Sequence, residues 1–364
     1  MKLRDTDMSL PDVIKVGAVV PLSGQAGLYG PSCCNCFRLA AEEINAKGGI
    51  LGHKIDLVFI DGGQKPLDVA NNIRTLMENN IFTALVGMHD SDVRRAIIDV
   101  IDGRIPYIYT PTYEGGETAK GVFLLGETPA QQLKPVIPWL QEHRDISRWY
   151  LIGNDYCWPH KLHEAARSYI TETGGCVLGE RYVNENKQDL NAYVSEIAEL
   201  NPDCVLISLV GSASVAFNRI FHKKGLSKEI HRFGTLVEEN TLLASGAAAC
   251  RGLLSASSYF PDLDDPQNQH FIQAYKAKFG KNAPELNALS QSCYEGMIFL
   301  QKLVGQAKSL EMQALVNASE GLRYQSARGD MEMHAFHVSK NVYLAEAKGY
   351  DFQILARFEN ISPY

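Results

Sequence analysis

The sequence predicts an α/β fold of two doubly wound, Rossmann-like lobes joined by a hinge, on three observations. From Val13 onward short β-branched runs alternate with amphipathic stretches, the pattern of βα units that build parallel sheets. The alternation restarts after Gly121. At 364 residues the chain also exceeds the roughly 250 to 300 at which one hydrophobic core stops growing, so two lobes are expected.

IKVGAVVPLS reads as the first strand. Its helix is GPSCCNCFRLAAEEINAKGG, where Phe37, Ala40, Ala41 and Ile44 recur at helical spacing and Gly48 and Gly49 supply the stop. The strand KIDLVFID precedes the helix PLDVANNIRTLMENN, with Pro66 at its first position and Val69, Ile73, Leu76 and Met77 on one face. FTALVGMHD, SDVRRAIIDVID and IPYIYTPT then read as strand, helix and strand.

The second series begins with PAQQLKPVIPWLQEH as one helix, RWYLIGNDY as strand, PHKLHEAARSYITETGG as helix and CVLGERYV as strand. LNAYVSEIAELN, DCVLISLVG, SASVAFNRIFHKKG and IHRFGTLVEE continue it. Two long helices, DPQNQHFIQAYKAKFG and LNALSQSCYEGMIFLQKLVGQA, lead into strand-rich sequence from Arg323 to Asn360, a tail able to return to both lobes. The expected division is residues 13–120 with about 258–322 in the first lobe, and 121–257 with about 323–360 in the second. The ligand cleft is expected between them.

Composition narrows the function. With 42 acidic and 35 basic residues the net charge is -7, and no basic stripe is present to neutralise phosphates, so direct nucleic-acid binding is not expected. No apolar run approaches the ~20 residues of a membrane span. The opening MKLRDTDMSLPD lacks the apolar stretch of a secretory signal. Together with eight cysteines, including the buried-type Cys204 and Cys293, this predicts a cytoplasmic protein, or a periplasmic one if a signal has been removed.

Catalytic motifs are missing: no GxSxG, no GxxxxGK[ST] and no HExxH. Gly24, Gly27 and Gly30 are spaced too loosely for a dinucleotide fingerprint and read as turn glycines. Cys33 and Cys36 have metal-ligand spacing but no second pair, so no metal is expected. His160 and His163 share a helix face and read as surface histidines. Cys157 beside His160 is the one local nucleophile and base candidate, and sequence proximity is weak evidence. A non-catalytic protein without cofactor follows.

Open α/β sheets bind ligands beyond the carboxyl ends of their strands, here SGQAGLYG, HDSDV, TPTYEGGE, NDYCWPH, GSAS and VEEN. These segments are rich in Ser, Tyr and small residues. Helices starting there also present unpaired N–H groups. Ser91 fits as the N-cap of such a helix.

VVPLSGQAGLYG and AAEEINAKGGILGHKIDLVFID resemble the opening of type I periplasmic binding proteins of the branched-chain amino acid family. VGMHDSDVRRAI, YTPTYEGGE, IGNDYCWP and GGCVLGERYV resemble more closely the branch containing the amide-sensing negative regulator of bacterial amidase operons and the urea-binding proteins of ABC transporters. The similarity runs from about Ile14 to Leu303. It implies a small polar ligand, such as a short amide or urea, held in the interlobe cleft. Carried over by position, the contacts are His89 and Ser91, Tyr109 and Thr112, Tyr156 and Trp158, and Val210.

The branch also implies a role. The expectation is a cytosolic sensor that regulates an amidase or nitrile-degradation operon by restraining an RNA-binding antiterminator protein. The alternative is the substrate-binding component of an ABC transporter for urea, short amides or branched-chain amino acids, with a permease as partner. Two departures bear on the ligand. His89 stands where the amide sensor has an aromatic residue, with Asp90 next to it, and Glu238 and Glu239 follow a second-lobe strand. An acid facing the cleft would call for a positive or strongly donating ligand, because a carboxylate only accepts. Tyr113 reads either as packing or as a contact, and Glu114 as a cap, an ion pair or a contact.

Overall fold

A computed structural model of the chain describes residues 13–184 and 190–364. The first half comprises β1 (Val13–Val20), α1 (Gly30–Ala46), β2 (Lys54–Asp61), α2 (Pro66–Glu78), β3 (Ala84–Gly87), α3 (Ser91–Ile101), β4 (Tyr107–Tyr109) and β5 (Val122–Leu124). Next come α4 (Pro129–Gln132), α5 (Val136–Arg144), β6 (Arg148–Asn154), α6 (Cys157–Glu172), β7 (Cys176–Val183), α7 (Leu190–Leu200), β8 (Cys204–Ser208), α8 (Ser212–Lys223), β9 (His231–Gly234), α9 (Glu239–Ser245), α10 (Ala247–Cys250) and β10 (Leu253–Ser257). The chain closes with α11 (Pro266–Phe279), α12 (Ala288–Ala307), α13 (Met312–Ser319), β11 (Arg323–Ser326), β12 (Gly329–His334), β13 (His337–Lys348) and β14 (Asp351–Ile361).

Strands β2-β1-β3-β4-β5 pair in parallel, and so do β10-β9-β8-β6-β7. Period-2 alternation sends their side chains to two helical layers. In β1, Ile14, Val16, Ala18 and Val20 face the core containing Phe37 and Ile44 of α1, whereas Val19 joins Val69, Ile73 and Ile97 of α2 and α3. In the second half Tyr150, Ile152, Val205 and Ile207 face α7 and α8, and Trp149, Leu151, Cys204 and Leu206 face α5 and α6. This is the doubly wound architecture that the sequence predicts.

Three chain segments cross between the halves: residues 125–128 after β5, residues 258–265 after β10, and β13 itself. His337 of β13 pairs with Leu124 of β5, whereas Leu344 pairs with Ala256 of β10. Pairing therefore carries the first sheet beyond the expected changeovers at 120 and 322, because β5, β11 and β12 all join it. The remaining assignment of residues to lobes stays our proposal.

Two local expectations change. The single helix expected over 129–143 is split into α4 and α5, since Pro135 lacks the N–H that would continue the ladder. β5, β10 and α13 are short elements with no periodicity to announce them. Among the described residues no helix is long and apolar enough to cross a membrane, and no cluster of His, Cys, Asp and Glu has metal-holding geometry.

Candidate functional site

The loop after β1 is set by Asp61 at the end of β2, whose carboxylate accepts from the N–H groups of Leu22 and Gly63 at 2.9 Å and from the Ser23 hydroxyl at 2.7 Å. So held, the loop reaches the second half. Asn154 Nδ2 donates to Gln25 Oε1 at 3.4 Å, and Asn154 Oδ1 accepts from the N–H of Val210 at 2.7 Å. Gly211 has φ +55, and a Cβ there would lie 2.1 Å from the Gln25 carbonyl oxygen. Only glycine lets the rims meet this closely.

The expected site residues separate into two groups. His89, Tyr109 and Trp158 are turned into the cores. His89 Nδ1 lies 3.0 Å from the Asp90 carbonyl and so carries the proton, leaving Nε2 to accept from the Tyr107 hydroxyl at 2.8 Å. Burial takes its pKa down to about 3, so the ring is neutral with both nitrogens engaged. Tyr109 donates to the His89 carbonyl at 2.7 Å, and Trp158 packs among Leu133, Leu162 and Phe233.

Ser91, Thr112, Tyr156 and Val210 lie where the halves face each other. Ser91 is not the N-cap of α3. Asp90 takes that role through a bond from the Val93 N–H at 2.8 Å, which frees the Ser91 hydroxyl to donate to Glu114 at 2.5 Å. Glu114 also accepts from Arg94 Nη2 at 2.6 Å, and Cys157 Sγ at the start of α6 lies 3.6 Å from it. Burial raises the Glu114 carboxyl, but Arg94 and Ser91 outweigh it and hold the group below its usual range. Tyr156, half-buried, sits at the N-cap of α6 in extended conformation.

A cavity of about 20 Å³ lies deeper between the halves, lined by Thr110, Thr112, Thr235, Glu238, Glu239 and Tyr259 among others. That volume takes about one water. Glu238 caps α9, accepting from the Asn240 N–H at 3.1 Å and the Thr241 hydroxyl at 2.6 Å. Burial still lifts its pKa to about 6. Thr235 Oγ1, Glu239 Oε1 and Tyr259 Oη are buried with no hydrogen-bond partner among the described residues. Glu239 is 5% exposed, and burial raises its pKa well above the usual value.

Beside this cavity the three crossings are tied by charge. Glu127 Oε1 accepts from the Ser258 N–H at 2.8 Å and from Arg328 Nη1 at 3.1 Å, and Lys340 donates to the Leu125 carbonyl. Burial opposes the Glu127 charge, yet Lys340 and Arg328 bring its pKa down to about 2, while burial draws Lys340 down to about 8. Both stay charged at neutral pH. Gln132 adds a neutral tie, donating to the Thr235 and Ala256 carbonyls at 2.8 and 2.7 Å and lying 2.8 Å from Thr112 Oγ1.

Sequence reasoning missed Arg94, Glu127, Thr235, Tyr259 and Arg328, which carry no motif. It also placed His163 on the surface, whereas the ring is fully buried with Nε2 2.7 Å from Ser208 Oγ. His160 is exposed, pairing with Asp155 at 2.8 Å.

A family model described as periplasmic binding protein matches residues 13–351. The Leu/Ile/Val-binding protein homolog 3 of Brucella melitensis is 22% identical over 341 residues, covering 90% of this chain and 91% of that one. An ABC-transporter solute binding protein from Rhodopseudomonas palustris, solved with p-hydroxybenzoic acid, superposes with a TM-score of 0.86 at 18% identity, over 97% of this chain and 98% of that one. A leucine binding protein from Thermotoga maritima gives 0.83 at 19% identity, over 95% and 99%.

Proposed function

The chain belongs to the periplasmic binding protein family, and from that premise we propose that it is the substrate-binding component of an ABC transporter, holding a small polar ligand between its halves without altering it. One observation carries the reading. Thr235 and Glu239, at the two ends of the β9–α9 connection, and Tyr259, after β10, line one cavity at the join of the halves and carry polar atoms without a partner among the described residues. Buried polar groups cost stability unless bonded, so three of them converging on one space suit a ligand that bonds them.

Ser91, Thr112, Tyr156 and Val210 are proposed as further contacts around the same join. A cavity of about 20 Å³ is too small for a urea or an amino acid, so the halves must part to admit one and close over it. A permease is the partner this role needs, and the periplasm its compartment. The transport-protein relatives favour this over the cytosolic amide sensor, which keeps the likeness of YTPTYEGGE and IGNDYCWP as its support.

Thermal unfolding with urea, short amides, branched-chain amino acids and aromatic acids tests the reading, since a ligand of the folded state raises stability by RT ln(1 + [L]/Kd). At least one compound should raise Tm and be recovered unchanged by mass spectrometry. Turnover would overturn the binding-only role. Amidase genes beside this one, in place of permease and ATPase genes, would return the sensor.

A further inference from the structure

Arg94, Ser91 and the start of α6 converge on one point. The guanidinium is 2% exposed and held between the rings of Tyr109 and Tyr113, at 5.0 and 4.8 Å from their centroids. Ser91 Oγ stands 3.4 Å from Nη1. Across the join lies the first turn of the sixteen-residue α6. A fixed guanidinium fork, a hydroxyl and, from the start of α6, the Cys157 thiol together make a donor set suited to a free carboxylate.

Here the chain's own carboxylate fills it. Glu114 binds Arg94 through Oε1 at 2.6 Å and Ser91 through Oε2 at 2.5 Å. We propose that Glu114 is a tethered occupant of the carboxylate-holding corner of the cleft, so that the site refuses ligands presenting a carboxylate there and takes neutral or cationic ones that present N–H donors. The inference rests on the reading that the ligand lies between the halves.

The surrounding charge agrees. Arg94 is matched by Glu114 and also by Glu117, whose Oε2 lies 3.5 Å from Nε, so a second carboxylate would meet net negative charge. Asp90 caps α3 and Asp92 stands in its first turn, and on the far side Glu239 Oε1 is an acceptor without a partner among the described residues. An acceptor is satisfied by a donor, and a cation satisfies an ionised one.

Chemical rescue tests this. In Glu114→Ala the corner loses its occupant, and Tm should fall. Sodium acetate at tens of millimolar should then raise the variant's Tm by about 3 °C relative to sodium chloride of equal ionic strength, and leave the wild type unmoved. Equal acetate effects on both proteins, or none on the variant, would overturn the proposal. Should the variant not fold in chloride, recovery of folded protein in acetate alone is the same rescue, and its failure has the same meaning. Adding Arg94→Leu should abolish the response. The wild type should also bind benzamide or benzylamine at least as tightly as benzoate, and a preference for benzoate would count against Glu114 as occupant. The rescue needs no knowledge of the natural ligand, so it can fail while the transport reading stands, and the reverse.

Discussion

Two buried polar clusters lie side by side between the halves, and they differ in how completely they are bonded. Around Glu127 the charges of Arg328 and Lys340, the Ser258 N–H and the Leu125 carbonyl answer one another. Around Glu239 they do not: Thr235 Oγ1, Glu239 Oε1 and Tyr259 Oη are left over. A saturated network stabilises the fold that contains it. An unsaturated one is held in place at a cost, by its neighbours, and can be repaid by something that enters. Burial alone would have grouped the two, and bonding separates them.

Breaking the saturated cluster should have the largest effect. Glu127→Ala leaves Arg328 and Lys340 facing each other in the interior, and removing one partner of a buried pair costs about 3–5 kcal/mol. Denaturant unfolding should show that loss. A cost under about 1 kcal/mol would mean that the crossings are held by packing instead. The unsaturated cluster should respond the other way. Glu239→Gln should keep or improve fold stability while weakening a cationic ligand, which favours the ionised carboxylate, by about 1.5–3 kcal/mol, as for a charged hydrogen bond. Calorimetric titration against the best ligand of the thermal screen checks it, and unchanged affinity would move the site elsewhere.

Two buried carboxyls beside the cavity, Glu238 and Glu127, should also titrate with opposite sign. Glu238 has a folded pKa lifted to about 6, so its contribution is fully present below its unfolded value of 4.5 and is lost as pH rises through 6, on the order of 2 kcal/mol in all. Glu127, brought down to about 2, contributes above 4.5 and loses that contribution as pH falls toward 2. Comparing wild type with Glu238→Gln between pH 4 and 8 should isolate the first slope. Parallel curves would contradict it. The smallest effects belong to the rim. Ser91→Ala and Tyr156→Phe should each weaken ligand by about 0.5–1.5 kcal/mol, threefold to tenfold, and reduce the compaction seen by small-angle scattering. Wild-type affinity in both would remove them from the site.

The fold was legible because period-2 and period-3.6 patterns are local, as at Val16 and Ala18 or Val69 and Ile73. The strand-end rule marked the segments that hold Ser91, Thr112 and Tyr156, and the family resemblance, carried over by position, named those three and Val210, all of which lie at the join. What stayed hidden was pairing across distance. Arg94 in DVRRAI looks like a solvated helix charge until Glu114, twenty residues on, folds back onto it. Glu127 and Arg328 are 201 residues apart, and nothing in either segment points to the other. His163, on α6, fell on the surface in the sequence reading because its partner Ser208 ends β8, 45 residues further on.

The three crossings govern motion as well as stability. A single tether would leave one half free to swing, twist and slide on the other. Three tethers side by side, one of them the unbroken strand β13, stiffen twisting and sliding and leave bending as the soft coordinate. The open protein then samples a narrow fan of orientations in place of a cone, and less rotational freedom is surrendered when a ligand draws the halves together. Distances between spin labels on α2 and α8 should accordingly spread along one direction, and a broad isotropic spread would show the crossings to be looser than their bonding implies.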